Sequence, residues 1–201
     1  MYALAASAAG VGIVALAQLA EARIVYTRTH QVVGLYGQYD LDLNHDKIVD
    51  YILSNNSNCT VNCWQWLSLR PATLAGNAVI SARSYVVAMA KGSRIGSGDH
   101  FRSVTGVDRM LLDVNGTQIF GSWYDVTNRY AGLKFNINGK THYGWARMSV
   151  SGKAFQTVTA TLTGYAYETI PNKAIIAGKT RGRDDNDAAP GTLGKLALGR
   201  K

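Results

Sequence analysis

Oxygen-bearing side chains recur at alternate positions between residues 42 and 50. Asp42, Asn44, Asp46 and Asp50 fall at positions one, three, five and nine of a D-x-N-x-D-x-x-x-D pattern, and the carbonyl of Ile48 falls at position seven. Calcium is a hard cation that takes about six to eight oxygen ligands. We therefore expect a calcium-binding loop with Asp42, Asn44, Asp46, Ile48 and Asp50 as ligands.

Two features separate this segment from an EF-hand. Position twelve, where an EF-hand carries Glu, is Leu53, and the flanking residues show no helical pattern. Position six, where the backbone turns sharply and Gly is usual, is Lys47. Lys47 must therefore either adopt a positive φ, which strains a residue with a side chain, or leave the loop open. The alternative is an acidic turn whose carboxylates are solvated and bind no cation.

The only two cysteines are Cys59 and Cys63, in the segment SNCTVNCW. A zinc site needs four ligands, and no histidine lies nearby in the sequence to complete one. In an oxidising compartment the pair would close a small disulfide loop. We expect that disulfide, and two free thiols are the alternative.

Residues 130–150 predict a β-hairpin around Asn138-Gly139, a dipeptide suited to a two-residue turn. Alternation then puts two sets of residues on opposite faces. The expected core face holds Leu133, Phe135, Ile137, Gly144, Ala146, Met148 and Val150, and the opposite face holds Lys134, Asn136, Tyr143, Trp145 and Arg147. If exposed, Tyr143, Trp145 and Arg147 would form a ligand-binding surface, because rings stack on sugars and a guanidinium binds carboxylates. Alternatively, other segments cover the rings.

No set of residues has the spacing of a catalytic signature. Ser97-Gly98-Asp99-His100 suggests a hydrolase, but the sequence has no G-x-S-x-G elbow. Paired acids for glycoside cleavage could be drawn from Asp99, Asp108, Asp113, Asp125 and Glu168, without any constraint on which pair. We assign no catalytic residues and leave the question of an enzyme open, with the balance against one.

Short runs of Thr, Val, Tyr and Ile separated by Gly, Asn, Asp and Ser are typical of an all-β protein. We expect an antiparallel β-sandwich of jelly-roll-like type. Residues 54–63 are interpreted as a polar loop, and residues 78–90 as strand rather than helix. Residues 157–167 alternate between apolar side chains and threonine, which predicts a half-buried strand.

The two ends of the sequence differ from the middle. Residues 1–22 are apolar and end in Ala20-Glu21-Ala22, a small-x-small pattern typical of signal-peptide cleavage. We expect a signal helix at 1–22, a β-sandwich domain at 23–178 and a flexible, disordered tail at 179–201. No stable membrane span would remain after cleavage. The net charge of +8 is spread along the chain without a dense basic block, so nucleic acid is not an expected partner.

Several segments resemble a family of exported bacterial proteins that carry sorting tails of the PEP-CTERM type. They are RIVYT, DLDLNHDKIVDYIL, NRYAGLKFNINGKTHYGWARMSV and TLTGYAYETIPNKAIIAGKT. The resemblance implies a secreted or cell-surface β-sandwich and supplies no activity. The segment APGTLGKLALGRK resembles a degenerate form of the sorting tail, because Lys195 interrupts its apolar part.

These observations favour a secreted or cell-surface calcium-binding protein with a structural role in the matrix or envelope. A carbohydrate-binding module that uses the Tyr143, Trp145 and Arg147 face is the first alternative, and a hydrolase is the second. A polysaccharide or other cell-envelope polymer is the expected partner. The sequence does not predict an oligomeric state.

Overall fold

The computed structural model describes residues 23–72, 76–103, 109–152 and 158–182. Within these ranges the chain forms strands and turns and no α-helix, which confirms the all-β prediction. No helix long enough and apolar enough to cross a membrane occurs among the described residues. The predicted signal helix at 1–22 and most of the predicted tail lie outside them.

Fourteen strands are formed by the described residues. They are β1 (Ile24–Val33), β2 (Gln38–Leu41), β3 (Tyr51–Cys59), β4 (Cys63–Pro71), β5 (Ala78–Ala82), β6 (Tyr85–Val86), β7 (Arg94–Ile95), β8 (Phe101–Arg102), β9 (Arg109–Val114), β10 (Gln118–Gly121), β11 (Val126–Ile137), β12 (Lys140–Ser151), β13 (Thr159–Glu168) and β14 (Ile175–Ile176).

Twelve of these strands pair into one continuous sheet. Its main order is β1-β13-β12-β11-β5-β6-β9-β4-β3-β2, with β10 paired to β9 and β8 paired to β5. All of these pairings are antiparallel except the short parallel contact of β6 with β9. The two ends of this order, β1 and β2, contact each other, so the sheet curls into a nearly closed barrel. The pairing does not confirm a jelly-roll-like sandwich, which stays a prediction.

The main core lies inside the curl. It is built from inward-facing residues of both halves of the sheet, including Leu53, Leu67, Leu111, Phe135 and Met148, each almost fully buried. Alternation along each strand accounts for this, because every second side chain points inward. Burying such side chains contributes about 1.5–3 kcal/mol each.

The hairpin of β11 and β12 has the predicted register. Ile137 pairs with Lys140 and Phe135 with His142. Asn138 and Gly139 both adopt positive φ, at 50° and 76°, as this turn requires. The predicted core face of the hairpin is therefore the face that lines the barrel.

Residues 54–59 were expected in a polar loop, and that prediction is wrong. They continue β3, which pairs with β4 as far as Cys59 opposite Cys63. The strand was missed because its residues are polar, and Asn55, which points inward and is fully buried, is one of them. Its amide is satisfied by hydrogen bonds, so a polar residue stands where alternation predicts an apolar one.

Candidate metal centre

The predicted calcium loop joins β2 to β3 and folds around the carboxylate of Asp42. Asp42 Oδ1 accepts hydrogen bonds from the backbone N–H groups of His45 at 2.7 Å and Asp46 at 3.3 Å. Asp42 Oδ2 accepts one from the N–H of Lys47 at 2.8 Å. The carboxylate therefore accepts the hydrogen bonds of three consecutive backbone amides, in place of the carbonyl groups that a strand or helix would provide. These bonds determine the curvature of the loop.

The loop turns through two residues with positive φ. His45 has a φ of 61° and Lys47 a φ of 73°, so of the two alternatives for Lys47 the structure shows the positive φ. The left-handed conformation costs an ordinary L-residue roughly 1–2 kcal/mol. The Asp42 hydrogen bonds offset part of that cost.

Half-buried Asn44 and exposed Asp46 contact each other on one side of the loop. Asn44 Nδ2 donates to Asp46 Oδ2 at 2.9 Å, and the N–H of Ile48 donates to Asp46 Oδ1 at 2.8 Å. Asn44 Oδ1 is inaccessible to solvent and has no hydrogen-bond partner among the described residues. A buried amide oxygen without a partner costs about 1–3 kcal/mol of stability. No group of the loop offers this atom a hydrogen bond, so a partner from outside the chain would relieve that cost.

Asp50 closes the loop from inside the protein. It is 6% exposed, and its Oδ2 accepts a hydrogen bond from the N–H of Leu43 at 2.8 Å. Burial, with smaller contributions from the charges of Asp42 and Asp46, raises the pKa of Asp50 to about 6 against the lowering effect of the Leu43 and Asn77 hydrogen bonds. In the folded protein, the hydrogen bonds of Asp50 therefore do not fully offset the cost of burying its charged form.

The predicted ligands do not all converge on one point. No group of three or more His, Cys, Asp or Glu side chains that could hold an ion occurs in the described part of the chain. Coordination by all three carboxylates would need some of them to turn from their amide partners. The donor set is otherwise suitable for calcium, because every candidate ligand atom is an oxygen.

The loop packs where the two ends of the curled sheet meet. The Nε2 atom of His45 lies 2.8 Å from the hydroxyl of Thr27 on β1, and its ring lies 5.9 Å from that of Tyr165 on β13. Burial raises the pKa of Tyr167, also on β13, and the charges of Asp46 and Asp50 raise it further. The loop therefore connects β2 and β3 with β1 and β13.

The surface predicted at Tyr143, Trp145 and Arg147 is not available to a ligand. Tyr143 is 4% exposed and Trp145 is fully buried. Both belong to a second core on the outer side of this part of the sheet, with Ile24, Ile80, Ile95, Tyr130, Ala166, Ile175 and Ala177. The ring of Trp145 lies 5.3 Å edge-on from Tyr130, and Arg147 donates to the hydroxyl of Thr163. The alternative that other segments cover these rings is therefore correct.

The predicted disulfide between Cys59 and Cys63 is confirmed. It closes the tip of the β3–β4 hairpin. Asn115, in the neighbouring β9–β10 turn, accepts from the N–H of Cys63 at 2.8 Å and donates to Asn62 Oδ1 at 3.1 Å. Two hairpin tips are thereby fastened together.

Of the residues considered for catalysis, Asp99 and Glu168 have structural partners, whereas the buried Oδ1 atom of Asp113 has no hydrogen-bond partner among the described residues. The Asp99 carboxylate accepts a hydrogen bond from the N–H of Gly96 at 2.7 Å, which closes the turn that contains Ser97 and precedes His100. Glu168 is buried, accepts from the N–H of Ile170 and lies 3.5 Å from Lys173 Nζ. Asp108 lies outside the described residues. No nucleophile–base pair is found among the described members of this set.

The sequence analysis missed an aromatic surface on β4. Trp64 is 43% exposed, and with Trp66 and Arg109 it lines a concavity of about 410 Å³ beside the disulfide. The signal was present in the alternation of residues 64–70, WQWLSLR, whose apolar residues Leu67 and Leu69 assign the tryptophans to the opposite face.

No protein-family model, curated protein or solved structure matches the chain.

Proposed function

We propose that this protein is an extracytoplasmic calcium-binding β domain that serves as a structural component of the cell surface or extracellular matrix. The observation that carries the calcium assignment is the buried Oδ1 atom of Asn44, which has no partner among the described residues. A cation held by the loop would give this oxygen a ligand. The ligands would be Asp42, Asn44, Asp46, Asp50 and the carbonyl of Ile48.

The burial of Asp50 supports the same assignment. A carboxylate that is 6% exposed and has a pKa of about 6 is only partly stabilised by its hydrogen bonds. A divalent cation would stabilise its charged form directly. The Asp42 and Asp46 charges that now oppose ionisation of Asp50 would then become co-ligands.

The position of the loop gives the cation a structural role. The loop contacts β1 through Thr27 and β13 through Tyr165, so a bound ion would hold the two ends of the sheet together. Residues outside the loop would thereby be stabilised as well. We expect calcium to raise the free energy of unfolding of the whole domain.

The compartment is proposed from the disulfide. The Cys59–Cys63 bond is the kind of link that persists in an oxidising environment. Export and the likeness to PEP-CTERM-sorted proteins remain predictions from the sequence. N-terminal sequencing of the protein recovered from a secreting host would test cleavage after Ala22.

Calcium binding is tested by calorimetric titration and by chemical unfolding with calcium, with magnesium and with a chelator. At a calcium concentration one hundred times Kd, linkage predicts a gain of about 2.7 kcal/mol in unfolding free energy. Asp46→Asn should remove the gain, because it takes a charged ligand from an exposed position. Asp40→Asn, at an exposed site on β2 outside the loop, is the matched control and should keep it.

The proposal fails on a clear result. Wild-type protein that shows neither heat of binding nor stabilisation at about 10 mM calcium, roughly ten times the weakest Kd of about 1 mM expected of extracellular sites, contains no such centre. Equal calcium responses in Asp46→Asn and wild type would contradict the ligand set.

A further inference from the structure

The outer face of β4 carries an exposed row of aromatic and basic residues. Leu67 and Leu69 point into the barrel and are buried, so Trp64, Trp66, Ser68 and Arg70 point outward. Residues two apart on a strand lie about 7 Å from each other on the same face. Unlike the outer side of β12, this face is not covered by any second core of the described residues.

Two adjoining concavities lie on this face. The first, of about 410 Å³, is lined by Asn58, Thr60, Val61, Asn62, Trp64, Trp66 and Arg109. The second, of about 320 Å³, is lined by Gln38, Ser54, Asn56, Trp66, Ser68, Arg70 and Arg109. Trp66 and Arg109 line both, so the two form one groove that crosses β2, β3, β4 and β9. We call it the β4 groove.

The β4 groove exposes large apolar side chains to solvent. Trp64 is 43% exposed and Val61 is 96% exposed. On β10 the 45% exposed Phe120 lies opposite Leu112, and Leu112 lies opposite Trp66. Contiguous apolar surface of this kind marks interaction sites, and Trp and Arg are the residues enriched where binding energy concentrates.

The charge of the β4 groove is positive. Arg70 and Arg109 make no ion pair or hydrogen bond with the side chains of other described residues. The ion pair formed among the described residues, Lys173 with Glu168, lies outside the groove. Asp40, on the outer face of the edge strand β2, accepts a hydrogen bond from Gln38 at 2.8 Å. The guanidinium groups are therefore available for an anionic ligand.

The rim of the β4 groove is held in place before any ligand binds. The Cys59–Cys63 disulfide closes the hairpin that supplies Thr60, Val61 and Asn62. Asn115 fastens the same tip to the neighbouring hairpin through hydrogen bonds to Cys63 and Asn62. A preformed rim lowers the entropic cost of binding.

The residue types in the β4 groove select one class of ligand. Indole rings offer flat apolar surfaces to the faces of sugar rings, while amide and hydroxyl side chains such as Asn56, Asn58 and Ser68 bond sugar hydroxyls. Arginine binds carboxylates with two parallel hydrogen bonds. A nucleic acid would need cations along its whole backbone, and here the groove offers two arginines among neutral polar groups.

We propose that the β4 groove binds an acidic polysaccharide, with uronate rings against Trp64 and Trp66 and their carboxylates at Arg70 and Arg109. This site is separate from the calcium loop. It also differs from the face of β12, which is buried.

Binding is measured by titrating the purified protein with short oligouronides in the presence of a chelator. The chelator keeps the result independent of the proposed calcium site. The methyl-esterified oligouronide, which keeps the rings and loses the charge, and a single-stranded oligonucleotide are the comparison ligands. We expect binding to the free oligouronide, much weaker binding to its ester, and a decrease in affinity with added salt.

Variants assign the binding to the β4 groove. Trp64→Ala and Trp66→Ala should each weaken binding by about tenfold or more, as expected of aromatic anchors. Arg109→Gln should reduce the preference for the free acid over its ester. Tyr36→Ala and Arg129→Gln change an exposed aromatic residue and an exposed arginine that line neither concavity, and should bind as wild type.

Three results would overturn the proposal. They are unchanged affinity in both tryptophan variants, equal binding of acid and ester, and oligonucleotide binding as tight as oligouronide binding with the same loss in Trp64→Ala. Should Trp66→Ala fail to fold, Trp64→Ala still decides, because its side chain is largely exposed.

Discussion

Asp50 combines burial with a titration close to neutral pH. Its pKa is about 6 in the folded protein against 3.8 in an unfolded chain, because burial penalises the carboxylate. Well below pH 3.8 the side chain is protonated in both states and its burial does not lower stability. As the pH rises from about 4 to about 6, the unfolded state releases its proton first, so stability falls. Above pH 6 the full cost of about 3 kcal/mol is present.

Replacing Asp50 with Asn should therefore change the pH dependence of stability in metal-free buffer. In wild type, Asp50 contributes a fall in unfolding free energy between pH 4 and pH 6, and in Asp50→Asn this contribution is absent. The measurement is urea unfolding at several pH values in that range. Asp40→Asn, at an exposed carboxylate, serves as the control and should follow wild type. Identical slopes in Asp50→Asn and wild type would show that Asp50 is not the titrating group.

A small polar cluster connects β3 and β4 with the residue that precedes β13. Asn55 Nδ2 donates to the carbonyl of Val158 at 2.7 Å, and the N–H of Val158 donates to Gln65 Oε1 at 3.2 Å. Gln65 Nε2 also donates to Asn55 Oδ1 at 3.1 Å. Two side chains thus satisfy both backbone groups of Val158 inside the protein, where neither can reach water.

Asn55→Leu should lower the stability of the protein, although it places an apolar side chain in an apolar core. The leucine would remove the Asn55 hydrogen bonds of Gln65 Nε2 and of the Val158 carbonyl and leave these two groups only their long contact with each other, at 3.4 Å. We expect a loss of about 1–3 kcal/mol in unfolding free energy. Asn58→Leu is the matched change at an exposed position of the same strand and should stay within about 0.5 kcal/mol. Urea unfolding measures both. A gain in stability for Asn55→Leu would mean that apolar burial outweighs the cluster.

The sheet is covered differently in its two halves. Around β12 it is buried on both faces, by the barrel interior on one side and by residues from β1, β5, β7, β11, β13 and β14 on the other. Around β4 the interior face is buried and the outer face meets solvent. Tryptophans at equivalent outward positions therefore differ in exposure, 0% for Trp145 and 43% for Trp64.

Truncating these two tryptophans should separate the two environments. Trp145→Ala is expected to lose about 3–5 kcal/mol, as for large aromatic side chains removed from a core. Trp64→Ala is expected to change the unfolding free energy by no more than about 0.5 kcal/mol. Denaturant unfolding with near-ultraviolet circular dichroism gives both values. Similar small losses in the two variants would show that the layer over β12 does not pack as a core.

Local features of the sequence predicted several of the strands correctly. The Asn138-Gly139 turn, the register of its hairpin and the inward set of β13 follow from turn chemistry and two-residue alternation, which act over a few residues. The continuation of β3 through residues 54–59 did not follow. Its inward Asn55 is stabilised by Val158, about a hundred residues away in the chain.

The same division applies to the candidate sites. The spacing of Asp42, Asn44, Asp46 and Asp50 predicted a loop in which Lys47 either adopts a positive φ or leaves the loop open, and the structure shows the positive φ. Calcium binding by this loop stays a prediction. Whether the carboxylates can share an ion depends on how the loop packs against Thr27 and Tyr165, and the sequence contains no local signal for that.

By itself the sequence determined the all-β class, the Asn-Gly turn, the alternation of faces and the only possible disulfide pair, since each of these arises between near neighbours. The tertiary structure alone decided which outward face is covered. Alternation separates two faces of a strand, but the segments that bury Trp145 and leave Trp64 exposed come from distant parts of the chain. Where those segments pack depends on how the whole sheet folds, and no short stretch of residues determines that.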